Sequence, residues 1–112
     1  MSATADAVAK LFQEKKDLIK DDIAGLEKVF QFKFEDKPEE NFYLQFSGGD
    51  IKVEKGEHSS PDVTFTATFD TMDKIMKGEL DATAAYMSGQ LKVEGSLPDA
   101  ITLNNILQKI RG

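Results

Sequence analysis

Alternating phenylalanines constrain the fold of this chain more than any other sequence feature. Phe30, Phe32 and Phe34 are separated by the polar residues Gln31 and Lys33. Because successive side chains of a β-strand point to opposite faces of the sheet, this period of two predicts a strand with one apolar face. The same alternation recurs in later segments of the chain. It places seven of the eight phenylalanines on one predicted sheet face: Phe30, Phe32, Phe34, Phe42, Phe46, Phe65 and Phe69. Aromatic side chains bury about 150–250 Å² each, so this face requires a thick apolar cover.

Four predicted strands follow one another along the chain. They lie at residues 30–34, 42–46, 51–53 and 63–69, where apolar and polar residues alternate. The sequence Ser-Gly-Gly-Asp at residues 47–50 predicts a hairpin turn, because glycine readily adopts the positive φ that such turns need. Four strands in a row with short connections predict an antiparallel meander.

Helical periodicity occurs on both sides of these strands. Apolar residues recur with the period of an amphipathic α-helix over residues 1–24. Asp70 is the predicted N-cap of a short helix that Gly78 ends, and Asp81 is the predicted N-cap of a second short helix. Flexible or aromatic side chains, which suit a core as well as a ligand surface, cluster around these two helices: Met72, Ile75, Met76, Tyr86 and Met87.

The last predicted helix has an unusually wide apolar surface. A fifth strand near Leu91 precedes it, and it runs from about Leu97 to Arg111. At about 100° per residue, two adjacent faces are apolar, one with Leu103, Ile106, Leu107 and Ile110 and the other with Leu97, Ala100 and Ile101. Such a helix either closes an internal cavity or packs against a second partner. Asn104 and Gln108 lie on the Ile101 side, where they either meet the polar end of a ligand or face solvent.

The composition excludes several classes of site. The chain has no cysteine and a single histidine, His58, so thiolate chemistry and zinc sites built on several imidazoles are excluded. The net charge of -6 argues against nucleic-acid binding, and no apolar run reaches the roughly 18 residues of a membrane span. The loop at residues 57–62 contains His, Ser and Asp, but catalytic triads are assembled from distant positions on a rigid frame. We therefore expect no catalytic residue, no metal, no cofactor and no membrane insertion, and a cytoplasmic location.

Three segments carry a resemblance to a known family. They read DVTFT at residues 62–66, KGEL at residues 77–80 and YMSGQLKVEG at residues 86–95. This combination resembles the sterol carrier protein type 2 domain, and the similarity spans about residues 5–110. Gln90 stands where lysine is common in that family, and Pro98 is part of a pair that replaces two small apolar residues.

The resemblance implies a single lipid-binding domain over residues 1–112. Its expected fold is α+β, a five-stranded twisted sheet with helices packed on one face that enclose an apolar tunnel. The implied function is non-catalytic binding and transfer of a fatty acid, a fatty acyl-CoA or a sterol-like lipid, by a monomer or weak homodimer. The predicted tunnel lining is Phe32, Phe65, Ile75, Met76, Tyr86, Met87, Leu91, Ile101, Leu103, Ile106 and Leu107.

Two other functions are compatible with the same sequence. In the first, the wide apolar face of the last helix packs against another protein and no ligand cavity exists. In the second, the chain is an accessory domain that presents a lipid-like substrate, such as an acyl group or a quinone precursor, to a partner enzyme.

Overall fold

The computed structural model describes residues 3–111, so residues 1, 2 and 112 of the predicted domain lie outside the described part, and with residues 1 and 2 the start of its first predicted helix. The helices and strands have these bounds: α1 Ala5–Lys15, a 3-10 turn Lys16–Ile19, α2 Lys20–Ile23, β1 Lys28–Phe34, a 3-10 turn Pro38–Glu40, β2 Phe42–Ser47, β3 Asp50–Lys55, β4 Val63–Ala67, α3 Phe69–Lys77, α4 Ala82–Met87, β5 Lys92–Gly95 and α5 Leu97–Arg111.

The five strands form one mixed sheet in the order β3-β2-β1-β4-β5. β1 pairs antiparallel with β2, with Phe32 opposite Phe42, and parallel with β4, where Phe32 lies beside Phe65. The other neighbouring pairs are antiparallel. The predicted antiparallel meander is therefore wrong, because the chain crosses back over the sheet after β3 instead of adding β4 next to it.

The connection from β3 to β4 is held against the outer face of β1 by Gln31. This side chain is only 1% exposed; its Nε2 donates to the Gly56 carbonyl at 3.0 Å and its Oε1 accepts from the His58 N–H at 2.7 Å. Asp62 ends the crossover, since its N–H donates to the Val29 carbonyl at 2.9 Å and its carboxylate accepts from the Val29 N–H at 2.7 Å. A buried amide is stable only when it is hydrogen-bonded, so this network fixes the crossover and hence the parallel pairing of β1 and β4.

The N-terminal helical segment is interrupted where the sequence predicts one continuous helix. α1 ends at Lys15, and a 3-10 turn separates it from α2. A 3-10 turn has about three residues per turn instead of 3.6, which shifts the phase of the apolar stripe. Phe12, Ile19 and Ile23 therefore remain buried, whereas Leu18, which the pattern places in the stripe, is 58% exposed.

The fourth strand is shorter than predicted, and α3 begins earlier. β4 ends at Ala67. The side chain of Thr68, not Asp70, caps α3 by accepting from the Thr71 N–H at 3.2 Å. Phe69 thus belongs to the helix and not to the sheet face, and its half-buried ring packs on Phe34 with centroids 5.3 Å apart.

The helices and the phenylalanine-bearing face of the sheet share one core, as an α+β fold requires. The six strand phenylalanines of that face are all buried: Phe30, Phe32, Phe34, Phe42, Phe46 and Phe65. The helices cover them with a further set of buried residues: Val8, Phe12, Ile19, Ile23, Met72, Ile75, Met76, Ala85, Leu103, Ile106, Leu107 and Ile110. No helix within residues 3–111 is both long enough and apolar enough to cross a bilayer.

Candidate functional site: an open apolar cavity

A cavity of about 520 Å³ lies between the sheet and the helices α3, α4 and α5. Ligand-binding cavities typically measure about 300–1,000 Å³ and are mostly apolar, and this one fits both descriptions. Its lining comes from six elements, β1, β4, β5, α3, α4 and α5, and from the loop before β5: Phe32, Phe65, Met72, Ile75, Met76, Ala82, Thr83, Tyr86, Met87, Leu91, Val93, Leu97, Ala100, Ile101, Leu103, Asn104, Asn105 and Leu107.

The sheet side of the cavity is built on the parallel pair β1 and β4. Phe32 and Phe65 are register partners there, and their rings stack with centroids 5.2 Å apart and planes inclined by 26°. Leu91 and Val93 extend this apolar wall onto the edge strand β5, where Val93 is opposite Phe65. The crossover that makes β1 and β4 neighbours is therefore also what places these two rings side by side.

Two short helices form the opposite side. α3 contributes the buried side chains of Met72, Ile75 and Met76, and it ends at Gly78, whose φ of 79° is the left-handed conformation that suits glycine at a helix C-terminus. α4 begins at Asp81, whose carboxylate accepts from the Ala84 N–H at 2.9 Å, as the sequence predicts.

The wide apolar surface of α5 is divided between the core and the cavity. Leu103, Ile106, Leu107 and Ile110 are at most 6% exposed. The adjacent face, which carries Leu97, Ala100 and Ile101, lines the cavity. Leu103 and Leu107 reach the cavity lining as well, so among these described residues of α5 only Ile106 and Ile110 belong to the core alone.

The cavity opens to solvent through an apolar rim. Four of the five large hydrophobic residues that are exposed in residues 3–111 line the cavity: Tyr86, Met87, Leu97 and Ile101, with exposures of 43%, 80%, 45% and 60%. We call these four side chains the cavity rim. Isolated exposed apolar residues are ordinary, but a cluster around a cavity mouth is typical of an interaction or ligand-entry site.

The polar lining of the cavity is small and uncharged. The lining residues with polar side-chain groups are Thr83, Tyr86, Asn104 and Asn105. On neighbouring α3, the ammonium group of Lys77 lies 2.9 Å from the Asp73 carboxylate, and this hydrogen bond raises the pKa of Lys77. Arg111 is likewise engaged, because its guanidinium donates to the Ile75 carbonyl at 2.6 Å.

Ten of the eleven residues predicted to line a tunnel lie around this cavity. Ile106 does not; it is 1% exposed and belongs to the core. That the other ten bind a ligand stays a prediction. The predicted lining lacks eight residues that the structure places there: Met72, Ala82, Thr83, Val93, Leu97, Ala100, Asn104 and Asn105. The second apolar face of α5 already carries Leu97 and Ala100, and Asn104 beside Ile101 is one of two residues predicted to meet either the polar end of a ligand or solvent.

The His, Ser and Asp residues of the 57–62 loop stabilise the loop itself. The His58 Nδ1 accepts from the Ser60 N–H at 3.0 Å, and the Asp62 carboxylate accepts from Val29 on β1. His58 also packs edge-on against the Tyr43 ring, with centroids 5.1 Å apart. Within residues 3–111, no group of three His, Cys, Asp or Glu side chains is arranged to hold a metal ion.

The chain is similar in sequence to a known family and to several known proteins. The model of the SCP-2 sterol transfer family matches residues 5–108. The chain is 30% identical over 110 residues to hydroxysteroid dehydrogenase-like protein 2 of Bos taurus. This match covers 96% of the chain but only 26% of that protein. It is 29% identical over 82 residues to a fatty acid-binding protein of Yarrowia lipolytica, covering 71% of the chain and 64% of that protein.

A solved structure shares the fold. The sterol carrier protein domain 2 of Helicoverpa armigera matches with a TM-score of 0.76 at 21% identity, over 96% of this chain and 87% of that one. The chain thus covers most of that solved domain, whereas it spans about a quarter of the dehydrogenase-like relative.

Proposed function

Since the chain belongs to the SCP-2 sterol transfer family, we propose that it binds a fatty acid, a fatty acyl-CoA or a sterol-like lipid in its apolar cavity. The cavity of about 520 Å³ is the observation that carries this proposal. Burial of a hydrocarbon contributes about 0.8 kcal/mol per methylene group without requiring directional contacts. Such a site binds and releases a lipid but needs no reacting group, so we propose a non-catalytic carrier, located in the cytoplasm.

The cavity rim supports the proposal further. An apolar ligand has to pass from a membrane or another protein into the cavity, and Tyr86, Met87, Leu97 and Ile101 provide an apolar surface at the opening. Met87 is unbranched and flexible, so it adapts to ligands of different shape at low cost.

A second candidate is presentation of a lipid-like substrate to a partner enzyme. It is supported by the match to a dehydrogenase-like protein, of which the aligned region is only 26%. The two functions differ in a vesicle assay. A carrier that acts alone moves a labelled lipid from donor to acceptor vesicles without another protein, whereas a presenting domain requires its enzyme.

The first experiment is a binding titration on the chain after its lipids have been extracted. The uncharged apolar dye Nile red is bound in the cavity and then displaced by palmitic acid, palmitoyl-CoA or cholesterol. Native mass spectrometry of the unextracted protein identifies any lipid that copurifies. We expect displacement by at least one of the three lipids, and the absence of both displacement and copurified lipid would refute the proposal.

A matched pair of variants assigns the binding to the cavity. Ile101 on the rim is 60% exposed and Leu18 is 58% exposed, but only Ile101 lines the cavity. Ile101→Glu removes apolar contact worth about two methylene groups and should weaken lipid binding about tenfold. Leu18→Glu adds the same charge at a similar exposure and should leave binding unchanged. Equal affinities of the two variants would place the ligand elsewhere.

A further inference from the structure

An amide side chain interrupts the apolar surface that α5 presents to the cavity. Asn104 follows Ala100 by four residues and Ile101 by three, and it precedes Leu107 by three, so all four lie on one side of the helix. Each of these residues lines the cavity. Asn104 is thus a cavity-facing residue on a stripe that is otherwise apolar.

The Asn104 side chain contributes nothing to the protein's own hydrogen bonding. It is half-buried, and no hydrogen bond joins its amide to another of the residues described, 3–111. Buried amides normally have hydrogen-bond partners, so this half-buried amide in the cavity lining is available to a polar group of a ligand.

The charges around the cavity restrict the chemistry of the ligand group that would contact Asn104. None of the lining residues is Lys, Arg or His. Two basic side chains on the flanking helices are engaged elsewhere, Lys77 with the Asp73 carboxylate at 2.9 Å and Arg111 with the Ile75 carbonyl at 2.6 Å. An ionised carboxylate placed beside the half-buried Asn104 would lose part of its hydration without gaining a counter-ion, which is costly against an apolar lining.

We propose that the cavity selects lipids with an uncharged hydroxyl head group, held by Asn104, over lipids with an ionised carboxylate. The amide suits a hydroxyl, since its NH₂ donates to the hydroxyl oxygen while its carbonyl accepts the hydroxyl proton. Thr83 and Asn105 lie on the same lining and add further uncharged partners. This inference rests on the proposed function and names the lipid class that the cavity prefers.

The test compares three ligands that share one hydrocarbon chain length. Dodecan-1-ol, dodecanoate and dodecane each displace Nile red from the extracted protein at pH 8, where a free carboxyl group is ionised. We expect dodecan-1-ol to bind at least about tenfold more tightly than dodecanoate, because only the carboxylate has to bury a charge. Dodecanoate binding as tightly as dodecan-1-ol, or more tightly, would overturn the inference but leave the proposed function intact.

A variant pair on α5 attributes the preference to Asn104. Asn104→Leu should weaken dodecan-1-ol binding about three- to tenfold, the usual effect of losing one hydrogen bond, and should leave dodecane binding unchanged or tighter. Gln108→Leu makes a comparable amide-to-leucine change one turn later, at an exposed position outside the lining. It should change neither the affinity for dodecan-1-ol nor the affinity for dodecane. Circular dichroism shows that both variants are folded.

The outcomes separate the two proposals. An unchanged ratio of dodecan-1-ol to dodecane affinity in Asn104→Leu would show that Asn104 does not bind the head group. Displacement by none of the three ligands would overturn the inference, and it would refute the proposed function as well only if palmitic acid, palmitoyl-CoA and cholesterol also fail to displace Nile red and no lipid copurifies.

Discussion

Gly95, the last residue of β5, is the position where one added methyl group should most disturb the sheet. Gly95 pairs with Val63 at the start of β4, and its φ is 105°. A Cβ at this position would overlap the carbonyl oxygen of Asp62, and it would lie 3.2 Å from both the Asp62 carbonyl carbon and the Val63 Cα. All three atoms belong to the backbone, so no side-chain rotation relieves the overlap.

Two effects of Gly95→Ala add together. A non-glycine residue held at this φ costs about 1–3 kcal/mol, and the overlap costs a further amount of about 1–3 kcal/mol because β4 and β5 have to move apart. We therefore expect a loss of about 2–6 kcal/mol in the free energy of unfolding, a large fraction of the stability of a typical domain. Because β5 carries Val93, this change also disturbs one wall of the cavity.

Two other glycines separate the backbone effect from the overlap. Gly56 has the same φ of 105°, but a Cβ there meets nothing within 4 Å, so Gly56→Ala measures the cost of the backbone conformation alone. Gly25 has neither feature, and Gly25→Ala should be neutral or slightly stabilising. Urea denaturation followed by circular dichroism gives the three free energies on one scale.

The three variants should differ in how much stability they lose. Gly95→Ala should lose more stability than Gly56→Ala, and Gly56→Ala more than Gly25→Ala. If Gly95→Ala lost no more than Gly56→Ala, the close approach of β5 to the Asp62 carbonyl would have no energetic consequence, and the reasoning from the overlap would be refuted.

Two further predictions concern the crossover and the hairpin. Gln31→Leu leaves the backbone groups of the crossover unpaired, so it should lower the free energy of unfolding by about 1–3 kcal/mol in urea denaturation. Gln45 lies on the same outer face but makes no hydrogen bond among the described side chains, so Gln45→Leu should cost less. Equal losses of stability in the two variants would contradict the role of Gln31. The Gly48 N–H, at 2.7 Å, and then the Ser47 hydroxyl, at 2.9 Å, lower the pKa of Glu27 below its usual 4.5. The stability that the Glu27 carboxylate contributes is therefore complete above pH 4.5 and is lost as the pH falls through the folded-state pKa. An NMR titration that gives Glu27 a pKa of 4.5 or higher would contradict this prediction.

Much of the cavity was predictable because its residues lie on elements with strong local signals. Capping at Asp81 and the positive φ at Gly78 follow from the chemistry of single residues, so the sequence predicts the start of α4 and the end of α3 correctly. The apolar arc of α5 likewise indicated a helix that covers more than the sheet core. The boundary between β4 and α3 was misplaced because Thr68 and Asp70 are both good N-caps, and the choice depends on a contact of the Phe69 N–H with the Asp36 carboxylate 2.9 Å away.

The sequence could not divide the apolar face of α5 between core and cavity. Ile106 and Leu103 look alike in periodicity, yet only Leu103 reaches the cavity lining. Helical periodicity gives the angle of a residue around its own axis, but not the position of the other elements that surround the helix. The same limit applies to Leu18, whose exposure follows from the 3-10 turn that interrupts the first helix.

The sequence by itself determined that one face of a sheet is covered with phenylalanine and that amphipathic helices cover it, because strand and helix periods are local properties of the backbone. Only the tertiary structure decided that β4 lies parallel to β1, since that pairing depends on Gln31 and Asp62 meeting segments distant in sequence. The same pairing brings Phe32 beside Phe65 and thereby forms the sheet side of the cavity. The cavity exists because the edge strand β5 and the helices α3, α4 and α5 meet around that pair without filling the space between them, and no local pattern specifies such a space.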